Sequence, residues 1–292
     1  MYKIIDENLI KLNLKPRAVD ANKGSFGRLL CITGSLGMAG AAVLSARAAV
    51  KSGVGLVDVA IPKSIYNIVG SNVLEPIYTL LPENKTGSIS KESIEKLIER
   101  LKLSTACLIG CGLSVNEDTE KVLRAIVENA NIPLIIDADG INIISKNIDI
   151  LNRERNKEII ITPHPGEMAR LINKTVKEVQ ENRELYAKQV AKKYNITVVL
   201  KGAGTIVASP LGEFYLNTTG NPGMAKGGSG DVLAGMIASF VAQGVKPLYA
   251  SAMGVYIHGA AGDLSAKKFS QTSMTPMDII ENIGNVINKI FA

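Results

Sequence analysis

Tryptophan is absent from this chain, and aromatic residues of all kinds make up only 4% of its 292 residues. Platforms for stacking nucleic-acid bases are therefore scarce. Cysteine occurs three times and histidine twice. Cys31, Cys107 and Cys111 lie in apolar segments, and Cys107 and Cys111 have no second Cys or His cluster that would complete a metal site. They read as small buried residues, which points to a reducing cytoplasm. The chain also lacks a stripe of like charge. Its formal charge of +6 comes from Lys and Arg dispersed among acids, a surface that suits an anionic small molecule at least as well as RNA or DNA. Long apolar runs are missing too, because Arg47, Lys51 and glycines interrupt the most apolar stretches, so no membrane span is expected. The N-terminal MYKIIDENLIKLNLKPR is mixed in charge and has no signal-peptide core.

What is present is a large core and a regular alternation. Hydrophobic residues form 46% of the chain and charged residues 21%, which excludes global disorder. Val/Ile/Leu-rich runs predict strands at 28–33, 55–61, 106–109, 134–137, 158–161 and 197–200. Helical runs are predicted between them at 41–52, 90–101, 117–129 and 177–194. That order predicts an α/β fold with a mainly parallel sheet covered by helices on both sides. Beyond Lys201 the pattern changes to a hairpin, 205–208 and 213–216 around Ser209-Pro210-Leu211-Gly212, followed by helices at 231–243, 247–266 and 276–290. With no linker, low-complexity tract or repeat, the expectation is one domain over residues 1–292.

The most informative stretch is NTTGNPGMAKGGSGDVLA, residues 217–234. Glycines allow close backbone approach to a ligand, and the free N–H groups of a helix's first turn bind anions. Gly228, Ser229 and Gly230 therefore form a candidate anion hole, with Asp231 beside it as candidate base. Lys201-Gly202-Ala203-Gly204-Thr205 ends a strand and suits nucleotide phosphates or ribose. Its plainer alternative is a tight turn with Lys201 extended to solvent. After the strand at 28–33, Gly40-Ala41-Ala42 has the wrong glycine spacing for a dinucleotide fingerprint and no Walker lysine. It either touches ligand or only lets a helix pack closely. In TPHPGE, His164 is a substrate-contact candidate, while Glu167 also suits the helix dipole. Asp137 and Asp139 are paired acids that either hold Mg²⁺ or, the favoured alternative, place Asp139 as a helix N-cap. His258 and Asp263, in a small-residue helix, read as satisfied buried groups rather than catalytic ones.

Taken together and in order, GSFGRLLCITGSLGMAGAAVLSA, IIDADGIN, TPHPGEMARL, VVLKGAGTIVA, NTTGNPGMAKGGSGDVLAGMI and HGAAGD, within residues 24–263, resemble the NAD(P)H-hydrate dehydratases of the ribokinase-like superfamily. The resemblance implies a three-layer α/β/α fold and a nucleotide-driven dehydration of the S-form of hydrated NADH or NADPH. ADP, or ATP, would serve as co-substrate with Mg²⁺, whose protein ligands stay unassigned. It implies Asp231 as base, an anion hole at 228–230, the AMP portion held by 201–205 and Gly230, and the hydrated dinucleotide lined by Ala41 or Ala42, Gly112, His164, Asn221 and Asp231. A cytoplasmic homo-oligomer, a tetramer, is also implied. GCGLSVN at 110–116 departs from the GPGLG-like turn expected of the family, and with 292 residues the epimerase domain fused to some relatives is not expected. The alternative is a vitamin-precursor kinase of the same superfamily, which would stop at the phosphorylated product.

Overall fold

The computed structural model describes residues 2–151 and 158–292. Its strands are β1 (Lys3–Ile4), β2 (Arg28–Ile32), β3 (Leu56–Pro62), β4 (Ile77–Leu81), β5 (Ala106–Ile109), β6 (Leu134–Ile136), β7 (Ile159–Ile161), β8 (Thr197–Leu200), β9 (Ile206–Ala208) and β10 (Phe214–Leu216). They form one ten-stranded sheet in the order β1-β10-β9-β8-β7-β6-β5-β2-β3-β4. From β8 to β4 every pairing is parallel. The hairpin strand β9 runs antiparallel to both of its neighbours, β8 and β10.

The central strands are largely apolar because both faces are covered. Along β2, Leu29 and Cys31 enter one core, while Leu30 and Ile32 enter the other. Leu108, Ile135, Ile160, Val199 and Val207 continue the first set, and their chain neighbours continue the second. This period-two division is the pleat expressed in packing. Helices Ala39–Lys51, Ser229–Ala242, Pro247–Ser273 and Pro276–Phe291 cover the first face. Helices Ile94–Lys102, Glu117–Asn129, Asp139–Lys146, Pro165–Leu171 and Arg183–Tyr194 cover the second. The result is three layers, α/β/α.

Several boundaries differ from the sequence expectation. The run expected at 177–194 is two helices, Val176–Glu181 and Arg183–Tyr194, divided at Asn182, whose φ of −132° is not helical. The edge strand β4 was not anticipated; it shows Ile77 to solvent and lacks the continuous burial of a central strand. The last-but-one helix runs on to Ser273 across a break at Ser270, φ 69°. Among the described residues no helix is long and apolar enough to cross a membrane.

Candidate active site

From β2 the chain runs outward through β3 to β4, then returns to the other side of β2 as β5 and continues through β6, β7 and β8. This reversal opens a crevice at the carboxyl ends of β2 and β5, where open parallel sheets bind ligands. The loops after these two strands are tied together. Gly34 N–H donates to the Cys111 carbonyl at 2.8 Å, the Ser35 hydroxyl donates to the Gly112 carbonyl at 2.9 Å, and the Ser35 and Ser114 hydroxyls lie 2.9 Å apart. Gly112 has φ 61°, and a Cβ there would come within 2.7 Å of the Ala41 Cβ. Gly112 and Ala41 therefore adjoin. Ala42, by contrast, is fully buried in the core, so of the two alanines only Ala41 keeps exposed surface. The GCGLSVN departure is absorbed locally. Ser114 takes the left-handed φ of 68°, and its N–H donates to Asp139 Oδ2 at 2.8 Å.

Over these loops stands the helix Ser229–Ala242. It begins after Gly228, φ 95°, without a side-chain cap, so first-turn amides are left for a ligand. The Ser229 amide is an exception to the expected set, because it donates to the Lys226 carbonyl at 3.2 Å. The Gly228, Gly230 and Asp231 amides have no acceptor among the described residues. The Ser229 hydroxyl is buried without a partner.

Lys201 does not extend to solvent. Its ammonium turns inward, 2.7 Å from Asp137 Oδ1 and 3.8 Å from Glu167 Oε2. A Cβ on Gly230 would lie 3.4 Å from the same nitrogen, so the ammonium sits beside the helix N-terminus. One cation thus serves Asp137, Glu167 and Asp231. Burial pushes Asp231 up to about 6, reinforced by Asp137 and opposed by a hydrogen bond from Cys111 and by Lys201. Burial likewise pushes Glu167 up to about 7, with Lys201 opposing. Asp231 is ionised near neutrality yet close enough to its pKa to accept a proton productively. Perturbed carboxylates clustered at a crevice mark a functional site better than volume does. Hollows of about 520 and 1250 Å³ open among residues 131–133, 209–213 and 246–249, and among 12–26, 243–246 and 287–291, respectively, and include none of the site residues.

His164 caps the helix Pro165–Leu171. Its Nδ1 accepts from the Gly166 amide at 3.0 Å and the Glu167 amide at 3.4 Å, while Glu167 Oε2 accepts from the His164 amide at 2.7 Å. An accepting Nδ1 assigns the proton of the neutral ring to Nε2. Burial, with Lys201 and Arg170 adding to it, lowers the pKa and keeps the ring neutral. His164 is thus a half-exposed hydrogen-bond donor and not a proton acceptor.

Other expectations change. Asp139 is not the N-cap; Ala138, φ 49°, occupies that place, and Asp139 instead holds the Ser114 amide. Among the described residues no group of three or more His, Cys, Asp or Glu forms a metal cluster. Asn221 directs its side chain to Asp263 Oδ1 (2.9 Å) and to the Gly223 amide (3.0 Å), and so shapes the loop. Asp263 also takes the Gly220 amide at 2.9 Å. The buried His258 ring meets the Ser229 backbone, but its Nε2 has no partner, so the expectation of a satisfied group holds only in part. Burial pushes its pKa down to about 4. Missing from the sequence expectation were the Lys201–Asp137 pair and the contact of Cys111 with Asp231. The one signal was that charged residues end or follow β6, β7 and β8.

Fold and crevice together define a ribokinase-like α/β/α protein with a buried acid at the uncapped N-terminus of a helix. The chain belongs to the NAD(P)H-hydrate dehydratase family, whose model matches residues 29–285. It is 39% identical over 277 residues to the bifunctional NAD(P)H-hydrate repair enzyme of Moorella thermoacetica, covering 95% of this chain and 52% of that one. It is also 39% identical over 252 residues to the ADP-dependent (S)-NAD(P)H-hydrate dehydratase of Neisseria meningitidis serogroup B, covering 86% and 81%. The chain therefore spans about half the length of the bifunctional relatives it matches. The ADP/ATP-dependent NAD(P)H-hydrate dehydratase of Bacillus subtilis, co-crystallised with ATP and Mg²⁺, superposes with a TM-score of 0.85 at 28% identity, covering 99% of each chain.

Proposed function

We propose that this chain uses an adenine nucleotide, ADP by preference, to dehydrate the S-form of hydrated NADH or NADPH, releasing AMP, phosphate and the restored dinucleotide. Hydroxide is a poor leaving group, so the ring hydroxyl is first phosphorylated. Asp231 takes the hydroxyl proton as the oxygen attacks the terminal phosphorus, and the bond to AMP breaks. The amides of Gly228, Gly230 and Asp231, the helix dipole and Lys201 stabilise the charge on the moving phosphoryl group. The ring nitrogen's electron pair then expels phosphate, and loss of a proton from the adjacent ring carbon restores the double bond. His164, through Nε2–H, and the surface of Ala41 and Gly112 would orient the hydrated dinucleotide. The loop 201–205 would hold the AMP portion.

Mg²⁺ binds with few protein ligands when phosphates supply the rest. The donor set fits that habit: Asp137 commits Oδ1 to Lys201 and would offer Oδ2, which faces Gly230. The metal would neutralise phosphate charge. The proposal includes a cytoplasmic homotetramer, which sedimentation equilibrium would test.

The supporting observation is the placement of Asp231, with a pKa raised to about 6, at the uncapped N-terminus of a helix adjoining Lys201. The test mixes protein, ADP, Mg²⁺ and hydrated NADH and follows recovery of reduced-nicotinamide absorbance. The expected result is recovery with one AMP formed per dinucleotide. A stable phosphorylated alcohol made from ATP, without recovery, would establish a small-molecule kinase instead.

A further inference from the structure

Arg183 opens the helix Arg183–Tyr194 and lies behind the loop 201–205. Its Nη1 donates to the Ala203 carbonyl at 2.6 Å, and its Nη2 to the carbonyls of Leu200 at 3.0 Å and Lys201 at 3.3 Å. The Gly202 carbonyl is taken by the Thr205 hydroxyl at 3.0 Å. Four successive carbonyls, from Leu200 to Ala203, are thus turned toward the protein and engaged. By contrast, the amides of Gly202, Ala203 and Gly204 have no acceptor among the described residues. Gly202 and Gly204 supply the backbone that makes this possible, at φ 145° and 66°. A Cβ at Gly202 would strike Arg183 Nη2 at 2.9 Å, so the guanidinium rests directly on the loop.

Three further observations indicate that this arrangement serves a ligand. Arg183 takes part in no ion pair among the described residues, and its Nε is buried without a partner. Partial burial lowers its pKa, as expected of a cation that water reaches on one side only. A guanidinium that donates only to carbonyls leaves its charge uncompensated, which is costly unless an anion shares the site. The free amides lie on the strand of loop that this charge supports, so an anion bound to them receives both.

We propose that Arg183 is the positioning residue of the nucleotide subsite: by gripping the carbonyls of Leu200, Lys201 and Ala203 it turns the loop amides outward to receive the phosphate-bearing part of the adenine nucleotide. The inference rests on the proposed binding of nucleotide by 201–205. A planar fork reaches three carbonyls that a lysine's point charge cannot span, so Arg183→Lys restores the charge without the geometry.

The experiment measures steady-state kinetics and calorimetric ADP binding for the wild type, Arg183→Ala and Arg183→Lys. Arg183→Ala is expected to raise the KM and Kd for ADP by about tenfold or more, the KM for hydrated NADH by less than about twofold, and to lower kcat less than it raises the ADP KM. Arg183→Lys is expected to fall between. An Arg183→Ala protein that melts cooperatively and keeps its ADP affinity within about twofold of wild type overturns the proposal, as does a parallel decline for both substrates. If Arg183→Ala does not fold, Arg183→Lys and Arg183→Gln decide by the same criterion. Wild-type protein that fails to bind ADP overturns the nucleotide assignment itself, an outcome separate from a clamp that proves dispensable.

Discussion

Asp58 and Asp137 are both fully buried aspartates with basic partners in the same sheet, yet their surroundings are opposite. Asp58, on β3, receives Arg28 Nη2 at 3.0 Å, Arg100 Nε at 2.7 Å and the Thr79 hydroxyl at 2.8 Å. Two guanidiniums and a hydroxyl hold one carboxylate. Asp137, at the end of β6, shares the single ammonium of Lys201 with Glu167, while Asp231 adds a further negative charge. The first cluster has more donors than the anion needs and is locked. In the second, carboxylates outnumber cations, so burial is only partly compensated, and two of its acids hold their protons up to about 6 and about 7. A donor-rich cluster fixes the sheet. A donor-poor one at a crevice has protons to exchange and room for a cationic or hydrogen-bonding ligand.

The largest expected effect comes from removing the proposed base. Asp231→Asn should lower kcat by about 10²–10⁴-fold while leaving calorimetric ADP affinity largely intact. Near-normal turnover would dismiss Asp231 as the base. In the wild type, kcat/KM should decline as pH falls through about 6, where the carboxylate becomes protonated. Stability moves the other way. The folded-state pKa is raised from 3.8 to about 6, so the folded protein holds this proton more tightly than the unfolded chain does. That contribution is complete below about pH 4 and is lost as pH rises through about 6. At about pH 8 the ionised carboxylate costs up to roughly 3 kcal/mol, so Asp231→Asn should melt at a higher temperature than the wild type.

Next in size is a pair of substitutions that sets the two clusters against each other. Asp58→Ala leaves two guanidiniums without their carboxylate and should cost about 3–5 kcal/mol in urea unfolding, with both KM values unchanged in the folded fraction. Lys201→Met leaves Asp137, Glu167 and Asp231 without their cation. It should both destabilise the fold and move the acid limb of kcat/KM to higher pH, because the positive charge that lowers both raised pKa values is gone. If Lys201→Met changes stability but not the limb, the two clusters are alike and the contrast fails.

The strands and their order of appearance were legible because β2, β5, β7 and β8 are near-continuous aliphatic runs buried on both faces. The half-exposed β4 and the two-residue β1 carry no such run, which is why they escaped. Asp231 and the glycines before it were legible from type and spacing alone. The direction of Lys201 was not, since TVVLKG reads equally well with an exposed lysine. Only the adjacency of β6, β7 and β8 brings Asp137, Glu167 and Lys201 together. Asp139 was misread because Asp is a good N-cap, and nothing local signals that Ala138 takes that place at φ 49°.

A smaller effect is expected at Gly230. A Cβ there falls 3.4 Å from the Lys201 nitrogen and 3.8 Å from Asp137 Oδ2, so Gly230→Val would fill the space between the helix N-terminus and the Lys201 ammonium. The KM for ADP should rise by about tenfold while the melting temperature changes little, since no backbone atom beyond its own stretch of helix lies within 4 Å of a Cβ there. Unchanged ADP kinetics would remove the helix N-terminus from the phosphate site.

The smallest effect separates the two clusters by a single hydrogen bond. Asp58 has a full set of strong donors, whereas Asp231 has the fully buried thiol of Cys111, a weak one, which together with Lys201 counters the upward pull of burial. If donor strength sets the acidity of the base, replacing that thiol should move the acid limb of kcat/KM in opposite directions. Cys111→Ser supplies a stronger donor to the ionised form and should lower the limb by roughly half a pH unit. Cys111→Ala removes the donor and should raise it by a similar amount. Corresponding substitutions of Thr79, whose hydroxyl serves a carboxylate already held by two guanidiniums, should leave the limb where it is. A limb that stays fixed in both Cys111 variants would mean that burial and Lys201 alone set the acidity of Asp231, and that the thiol merely fills space.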